Sequence, residues 1–357
     1  MISDLLKIIA IKPSGAVLIG KHFTIDGFER RNIHVITHAH ADHLGGLNQS
    51  VKYVEKIIAT PATIDLILEL GYVLNSNGLK ALFKRKAYPL SYHEKLMIGD
   101  EELELLPAHH ILGASQVVVR TGKYVIGYTG DFKLGEETEI IKEPDILIME
   151  TTYGDPNYRR PFKHYIEEFL VDLVFQGIET MKRVVIYGYH GKLQEAMKIL
   201  RSKGVDYPFV MPPKIYRITR IAEKHGYRIG EYYNSLSREG REIIREGFYI
   251  YFDHMMRAKR RRLDGSRLNI VLSGWEFQQP VRRLDEYSWL VAMSDHADFD
   301  ELIQYVEESK PRIVVLDASR QGSPKPLKRE LEKRGWRVVI LPVNDEYYIG
   351  IDNYYVG

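Results

Sequence analysis

Thr37-His38-Ala39-His40-Ala41-Asp42-His43 follows directly on the β-branched run from Ile33 to Ile36. Four side chains able to give a lone pair to a cation fall within six positions, on a loop leaving a strand. Side chains alternate along an extended segment, so His38 and His40 share one side. Asp42 and His43 then turn toward a second ion. Such a short loop gathers its ligands at little cost in closure entropy. A solvated or core histidine cluster is a poor explanation for three imidazoles at one strand end, and the segment reads as a metal site.

The composition around this loop narrows the chemistry. The chain has 357 residues and a mass of 41.4 kDa, with 45% hydrophobic and 27% charged residues. That length favours two domains, and the apolar share is ample for a buried core. Cysteine is absent, which excludes disulfides and thiolate sites, so a transition metal must rest on His and carboxylates. No run of 18 apolar residues occurs, which argues against a membrane-spanning helix. The start, Met1-Ile2-Ser3-Asp4-Leu5-Leu6-Lys7, lacks the layout of a signal peptide, and a cytoplasmic protein is expected. Abundant Glu, Lys, Arg and Tyr would suit a thermophile. The net charge of +2 says nothing about partners. Its distribution says more: between Arg241 and Arg283 stand ten Lys/Arg against five Asp/Glu. The densest part is Arg257-Ala258-Lys259-Arg260-Arg261-Arg262, a cluster that attracts polyphosphate when it borders a catalytic site.

Short apolar runs bounded by turn residues predict strands at Ile33 to Ile36, Glu102 to Leu106, Val117 to Arg120, Tyr124 to Tyr128 and Asp145 to Met149. Thr60-Pro61 opens a helix through Leu70, with Thr as cap and Pro in the first turn. Pro161 is expected to open another, running to about Phe175. The middle of the chain then alternates strand and helix: Val184 to Tyr187, Leu193 to Arg201, Pro208 to Met211 and Ile215 to His225. The stretch Phe248 to Phe252 reads as a buried strand. Strands return at Leu268 to Leu272, Trp289 to Ala292, Ile313 to Leu316 and Val338 to Leu341. The pattern implies one α/β domain interrupted by a second.

Further ligands are on offer at strand ends. Pro107-Ala108-His109-His110-Ile111-Leu112-Gly113 follows one predicted strand, and Thr129-Gly130-Asp131-Phe132 follows another. Asp131 is suited to bridge two ions with its two oxygens. Ions roughly 3.5–4 Å apart would hold a hydroxide in line with phosphorus and stabilise the leaving oxygen. Imidazole favours zinc over magnesium, with Mn or Fe chemically acceptable.

The run His38-Ala39-His40-Ala41-Asp42-His43, with His110 and Asp131 in the same order and placement, resembles the metal motifs of the metallo-β-lactamase fold. Asp26, in Thr24-Ile25-Asp26-Gly27, matches that fold's early structural Asp. Glu150-Thr151-Thr152-Tyr153-Gly154 and Ser294-Asp295-His296-Ala297-Asp298 look like the two added motifs of its β-CASP nuclease branch. Ser273-Gly274-Trp275 and Tyr187-Gly188-Tyr189-His190-Gly191-Lys192 are most similar to ligase-associated and crosslink-repair DNA exonucleases. The resemblance implies an αββα sandwich with an inserted α/β β-CASP domain, divided as residues 1–154, an insert over 155–285, and 286–357.

It also implies roles. His38, His40 and His110 would hold one metal, Asp42 and His43 the other, and Asp131 would bridge them. His110 is chosen over His109 because the family ligand immediately precedes the Ile-Leu-Gly segment. His296, oriented by Glu150, would protonate the leaving oxygen, and Asp42, Glu150 and His296 form the catalytic set. A carboxylate beside an imidazole keeps it charged near neutrality. Ser294, Lys192 and Arg260 are expected phosphate contacts. The family's third added motif carries His or Val where this chain has Asp317, which would ligate the second metal or stand behind it.

The resemblance therefore points to a metal-dependent phosphodiesterase with two zinc ions, Mn2+ being a substitute. A DNA exonuclease of repair type is expected, with nucleic acid as partner (DNA favoured over RNA) and no membrane. RNA processing by the same chemistry is the alternative. Hydrolysis of a small ester or thioester, or an inactive binding module, stand further off. A repair ligase or helicase would be a compatible partner that the residues do not specify.

Overall fold

A computed structural model describes residues 6–73, 78–260 and 263–342. Its strands form three sheets. The first runs, in spatial order, Ile9–Ile11, Val17–Ile19, Phe23–Ile25, Ile33–Val35, Lys56–Ala59 and Ala87–Pro89. The second runs Val338–Leu341, Ile313–Asp317, Ile146–Met149, Tyr124–Tyr128, Ser115–Thr121, Glu101–Pro107 and Lys95–Ile98.

Alternation decides how these two sheets pack. Ile146, Ile148, Ile313, Val315, Val117 and Val119 share one buried cluster with Ile19, Phe23, Ile25 and Val35 of the first sheet. Leu147, Met149, Val314, Leu316 and Val118, one residue out of phase, join the other cluster with Phe299, Leu302 and Val306 of the helix Phe299–Ser309. The sheets thus lie face to face with helices outside, the αββα sandwich. Burying one such aliphatic side chain contributes roughly 1.5–3 kcal/mol.

The third sheet is the inserted α/β unit: Tyr232–Asn234, Phe209–Met211, Tyr249–His254, Arg183–Gly188, Leu268–Leu272, Ser288–Val291 and Val281–Arg283. All neighbours in it are parallel except the last pair. Ser288–Val291 pairs with Leu268–Leu272, so the expected boundary at 285 falls inside this sheet. Backbone pairing, invisible to a composition shift, joins Ser288–Val291 to this sheet.

Helix Pro61–Leu70 starts where Thr60 and Pro61 predict, the Thr60 hydroxyl accepting from Thr63 N. Pro161 does not open a helix. A 3-10 turn, Lys163–Tyr165, precedes the helix Ile166–Met181. That helix buries Ile166, Leu170, Val174, Gly177 and Ile178, a three-to-four residue spacing that continues past Phe175 and overrides the proline signal. Among the described residues no helix is long and apolar enough to cross a membrane.

Candidate metal centre

Every functional side chain expected of the sandwich leaves a strand at the same rim. Asp26 follows Phe23–Ile25 and adopts a positive φ of 45°. From there its carboxylate holds the metal loop: Oδ1 accepts from Thr37 N at 2.9 Å, and Oδ2 meets His43 Nδ1 at 2.7 Å. With Nδ1 engaged, His43 presents Nε2 to the site, 3.2 Å from Asp131 Oδ2 and 3.6 Å from Asp42 Oδ2. Thr37 Oγ1 stands 3.0 Å from His38 Nδ1, so His38 likewise turns Nε2 inward, 3.7 Å from Asp131 Oδ2. His110 Nδ1 donates to the Asp295 carbonyl at 2.8 Å, leaving Nε2 as the lone pair, 2.9 Å from His40 Nδ1 and 3.8 Å from Asp131 Oδ2.

Three groups result among the described residues. The ligand atoms of His38, His40, His110 and Asp131 lie within 4.8 Å of one another, as do those of Asp42, His43 and Asp131, and those of Asp131, Glu150 and His296. Asp131 belongs to all three. His38 Nε2 is buried and has no hydrogen-bond partner among the described residues, and His43 Nε2 is buried with the Asp131 carboxylate 3.2 Å away. A buried polar atom without a partner is unfavourable, and a cation is what neutral imidazoles around a carboxylate satisfy. Burial, with the repulsion of neighbouring imidazoles, holds His38 and His40 well below the usual histidine range and so neutral. Burial also opposes charge on Asp131, but the adjacent His43 outweighs it and keeps the carboxyl ionised. At His43, burial and Arg320 are outweighed by Asp131 and Asp26, which push its pKa up to about 10; a divalent ion would replace that proton. Asp42 is exposed, at the open side of the pair.

Glu150 follows Ile146–Met149 and is nearly buried. Its Oε1 accepts from Phe132 N at 2.8 Å, and its two oxygens lie 3.2 and 3.0 Å from His296 Nδ1. Burial disfavours charge on His296, but Glu150, Asp131 and Asp295 outweigh it and raise its pKa to about 9. The His296 ring packs edge-on to His110, with centroids 4.8 Å apart.

Other expectations change. Ser294 Oγ accepts from His296 N at 3.0 Å and donates to His296 O at 3.2 Å, so it shapes the turn carrying His296. Lys192 is buried and ion-paired with Asp295 at 3.1 Å, which takes its charge away from phosphate. Arg260 ends the helix Met255–Arg260, and Arg261 and Arg262 lie outside the described residues. Asp317 ends its strand, but Oδ1 accepts from Ser319 N at 2.8 Å and Oδ2 from Arg320 Nη1 at 2.9 Å. It belongs to none of the three ligand groups among the described residues. Arg320, which drew no notice in the sequence, also reaches Tyr128 Oη at 3.3 Å and the Gly15 carbonyl at 2.7 Å; a lone arginine past a strand gives no local signal. His109 faces away, 3.1 Å from Glu195 of the insert. His34 is buried against Ser50, 2.6 Å away. His190 lies against the metal loop, with Nε2 3.1 Å from the Ala39 carbonyl.

Beside the ion sites a cleft of about 1090 Å3 opens between sandwich and insert. Its walls include His40, Asp42 and His296 on one side and Tyr189, Lys214, Arg257, Lys259, Trp275 and Arg282 on the other.

A two-sheet sandwich with buried imidazoles and a shared carboxylate at its strand ends defines a metallohydrolase that binds divalent ions. The Beta-lactamase superfamily domain matches residues 24–204, half of the chain, and the chain belongs to that family. An uncharacterized protein in the lig 3' region of Acidianus ambivalens is 44% identical over 138 residues, 38% of this chain and 98% of that protein. A probable DNA ligase of Opitutus terrae is 26% identical over 88% of this chain and 29% of its own length. The RNase aCSPSF2 of Saccharolobus solfataricus is 30% identical over 52% of this chain and 42% of its own. The chain thus spans less than half the length of either of these last two relatives.

Proposed function

We propose that the chain is a zinc-dependent nuclease that removes nucleotides from a DNA end, with the insert, residues 155–291, forming one wall of the substrate cleft. The pairing of Glu150 with His296 beside Asp131, opening into a basic cleft, carries the reading. An ester hydrolase needs no such second acid pair. His38, His40 and His110 would hold one ion and Asp42 and His43 the other, with Asp131 shared. Bound there, two Zn2+ ions supply Lewis acidity toward the phosphodiester. Three imidazoles and a carboxylate favour zinc over all-oxygen cations.

The residues supply the rest. Glu150 occupies His296 Nδ1, which leaves Nε2 to deliver the proton to the departing oxygen. Ser294 fixes the backbone of that turn. Lys214, Arg257, Lys259 and Arg282 hold the polyanion by charge, and Tyr189 and Trp275 offer faces for bases. Similarity to a probable DNA ligase over most of this chain, and to a protein of a lig 3' region, favours DNA and a ligase context.

RNA cleavage is the second reading, favoured by the likeness to RNase aCSPSF2. Matched DNA and RNA oligonucleotides labelled at either end, digested by wild type and by His40→Ala, decide between them. Stepwise loss of DNA by the wild type alone is expected, and the label lost first gives the polarity. Faster RNA cleavage would transfer the protein to RNA processing. Intact polymers of both kinds would end the nuclease reading.

A further inference from the structure

The segment Tyr189–Lys192 of the insert makes three consecutive contacts with the metal centre of the sandwich. His190 Nε2 lies 3.1 Å from the carbonyl of Ala39, the residue between His38 and His40. Gly191, at φ +88°, fits so closely that an added Cβ would stand 2.2 Å from Ile111 Cγ2, beside His110. Lys192 Nζ pairs with Asp295 Oδ2 at 3.1 Å, and both side chains are at most a tenth exposed. Asp295 in turn accepts His110 Nδ1–H through its backbone carbonyl and immediately precedes His296.

From this we infer that Lys192 is a positioning residue for the metal centre. By anchoring Asp295 it holds the carbonyl that fixes the His110 tautomer, so that Nε2 keeps its lone pair directed at the ion. The same anchor fixes the turn on which His296 sits. Groups behind a metal ligand change metal affinity by about 10–100-fold when removed. The insert is therefore part of the metal site's support as well as a wall of the cleft. An ionic anchor suits this place because Asp295 Oδ1 has no hydrogen-bond partner among the described residues, and the contact of Lys192 with Oδ2 is what holds that carboxylate.

The inference rests on the metal-centre reading of the proposed function, and the test separates the two. Zinc affinity is measured by competition with a chromogenic chelator, and the visible spectrum of the Co2+-loaded protein is recorded, for wild type, Lys192→Met and Lys192→Arg. The expected result is a loss of about tenfold or more in affinity for Lys192→Met with an altered Co2+ spectrum. Lys192→Arg, which keeps the ion pair, recovers most of both. Lys192→Met leaves a buried carboxylate unpaired, which endangers folding. The double variant Lys192→Met/Asp295→Asn removes both charges and is expected to keep the affinity defect. Wild-type affinity and spectrum in either folded variant would overturn the inference. A wild-type protein that takes up no metal would instead overturn the metal centre itself.

Discussion

At the scale of single residues, three carboxylates do different work because each faces a different partner. Asp26 is wholly buried and holds His43 Nδ1 and Thr37. Asp26→Asn keeps the shape but weakens that hold, and zinc affinity at the Asp42–His43 side is expected to fall about tenfold or more in a chelator titration. Asp131→Asn removes the shared charge, and metal content should fall toward one ion or none by elemental analysis. Glu150 sets the protonation of His296. A proton donor works below its pKa and fails above it, so activity limited by His296 declines as pH rises through that value. Divalent ions nearby repel the imidazolium, which places the alkaline limb of the loaded enzyme below about 9. Glu150→Gln removes the main opposite charge and is expected to shift that limb further toward acid in a pH–rate profile. That these side chains converge was legible in the sequence, because His38 to His43, His110, Asp131, Glu150 and His296 stand at strand ends in short motifs. The partners of Lys192 and Asp317 were not legible there: Asp295 is brought to Lys192 by tertiary contact, and Arg320, on Asp317, stands in no motif.

At the scale of elements, the well-predicted strands are those buried on both faces, such as Ile146–Met149 and Ile313–Asp317, whose apolar runs are continuous. The three-residue strands Ile9–Ile11 and Val17–Ile19 escaped, being too short to show a period. The helix after Pro161 was placed too early because a breaker residue was weighed above the apolar spacing from Ile166 to Ile178. The helix Lys192–Ser202 begins at Gly191, where positive φ and the contact with Ile111 both demand glycine. Gly191→Ala is expected to lower stability by about 2 kcal/mol or more in denaturant unfolding.

For the whole molecule, sandwich and insert are joined on one flank by Asp65 with Lys224 and His225, and by Glu69 with Arg217. These partly exposed pairs contribute little to stability, and the apolar cluster running through both units supplies the cohesion. The cleft between them presents Lys214, Arg257, Lys259 and Arg282. Four phosphate contacts to a single strand give a slope of roughly −3 in log affinity against log salt. A flat response, read by fluorescence anisotropy with a labelled oligonucleotide, would remove the cleft from the binding path. The overall plan was readable from alternating strand and helix signals, but the end of the insert was not, since Ser288–Val291 belongs to the third sheet only through pairing.

The second sheet brings Ile146–Met149 beside Ile313–Asp317, and Asp145 meets Arg312 across 167 positions of chain. Neighbours so far apart make for a high contact order and slow closure. While the chain emerges from the ribosome, His38 to His43 appear early, yet His110 lacks the Asp295 carbonyl until the whole insert has been made. During synthesis the His110 side of the centre therefore gains its backbone acceptor only after Asp295 has been made, long after the metal loop.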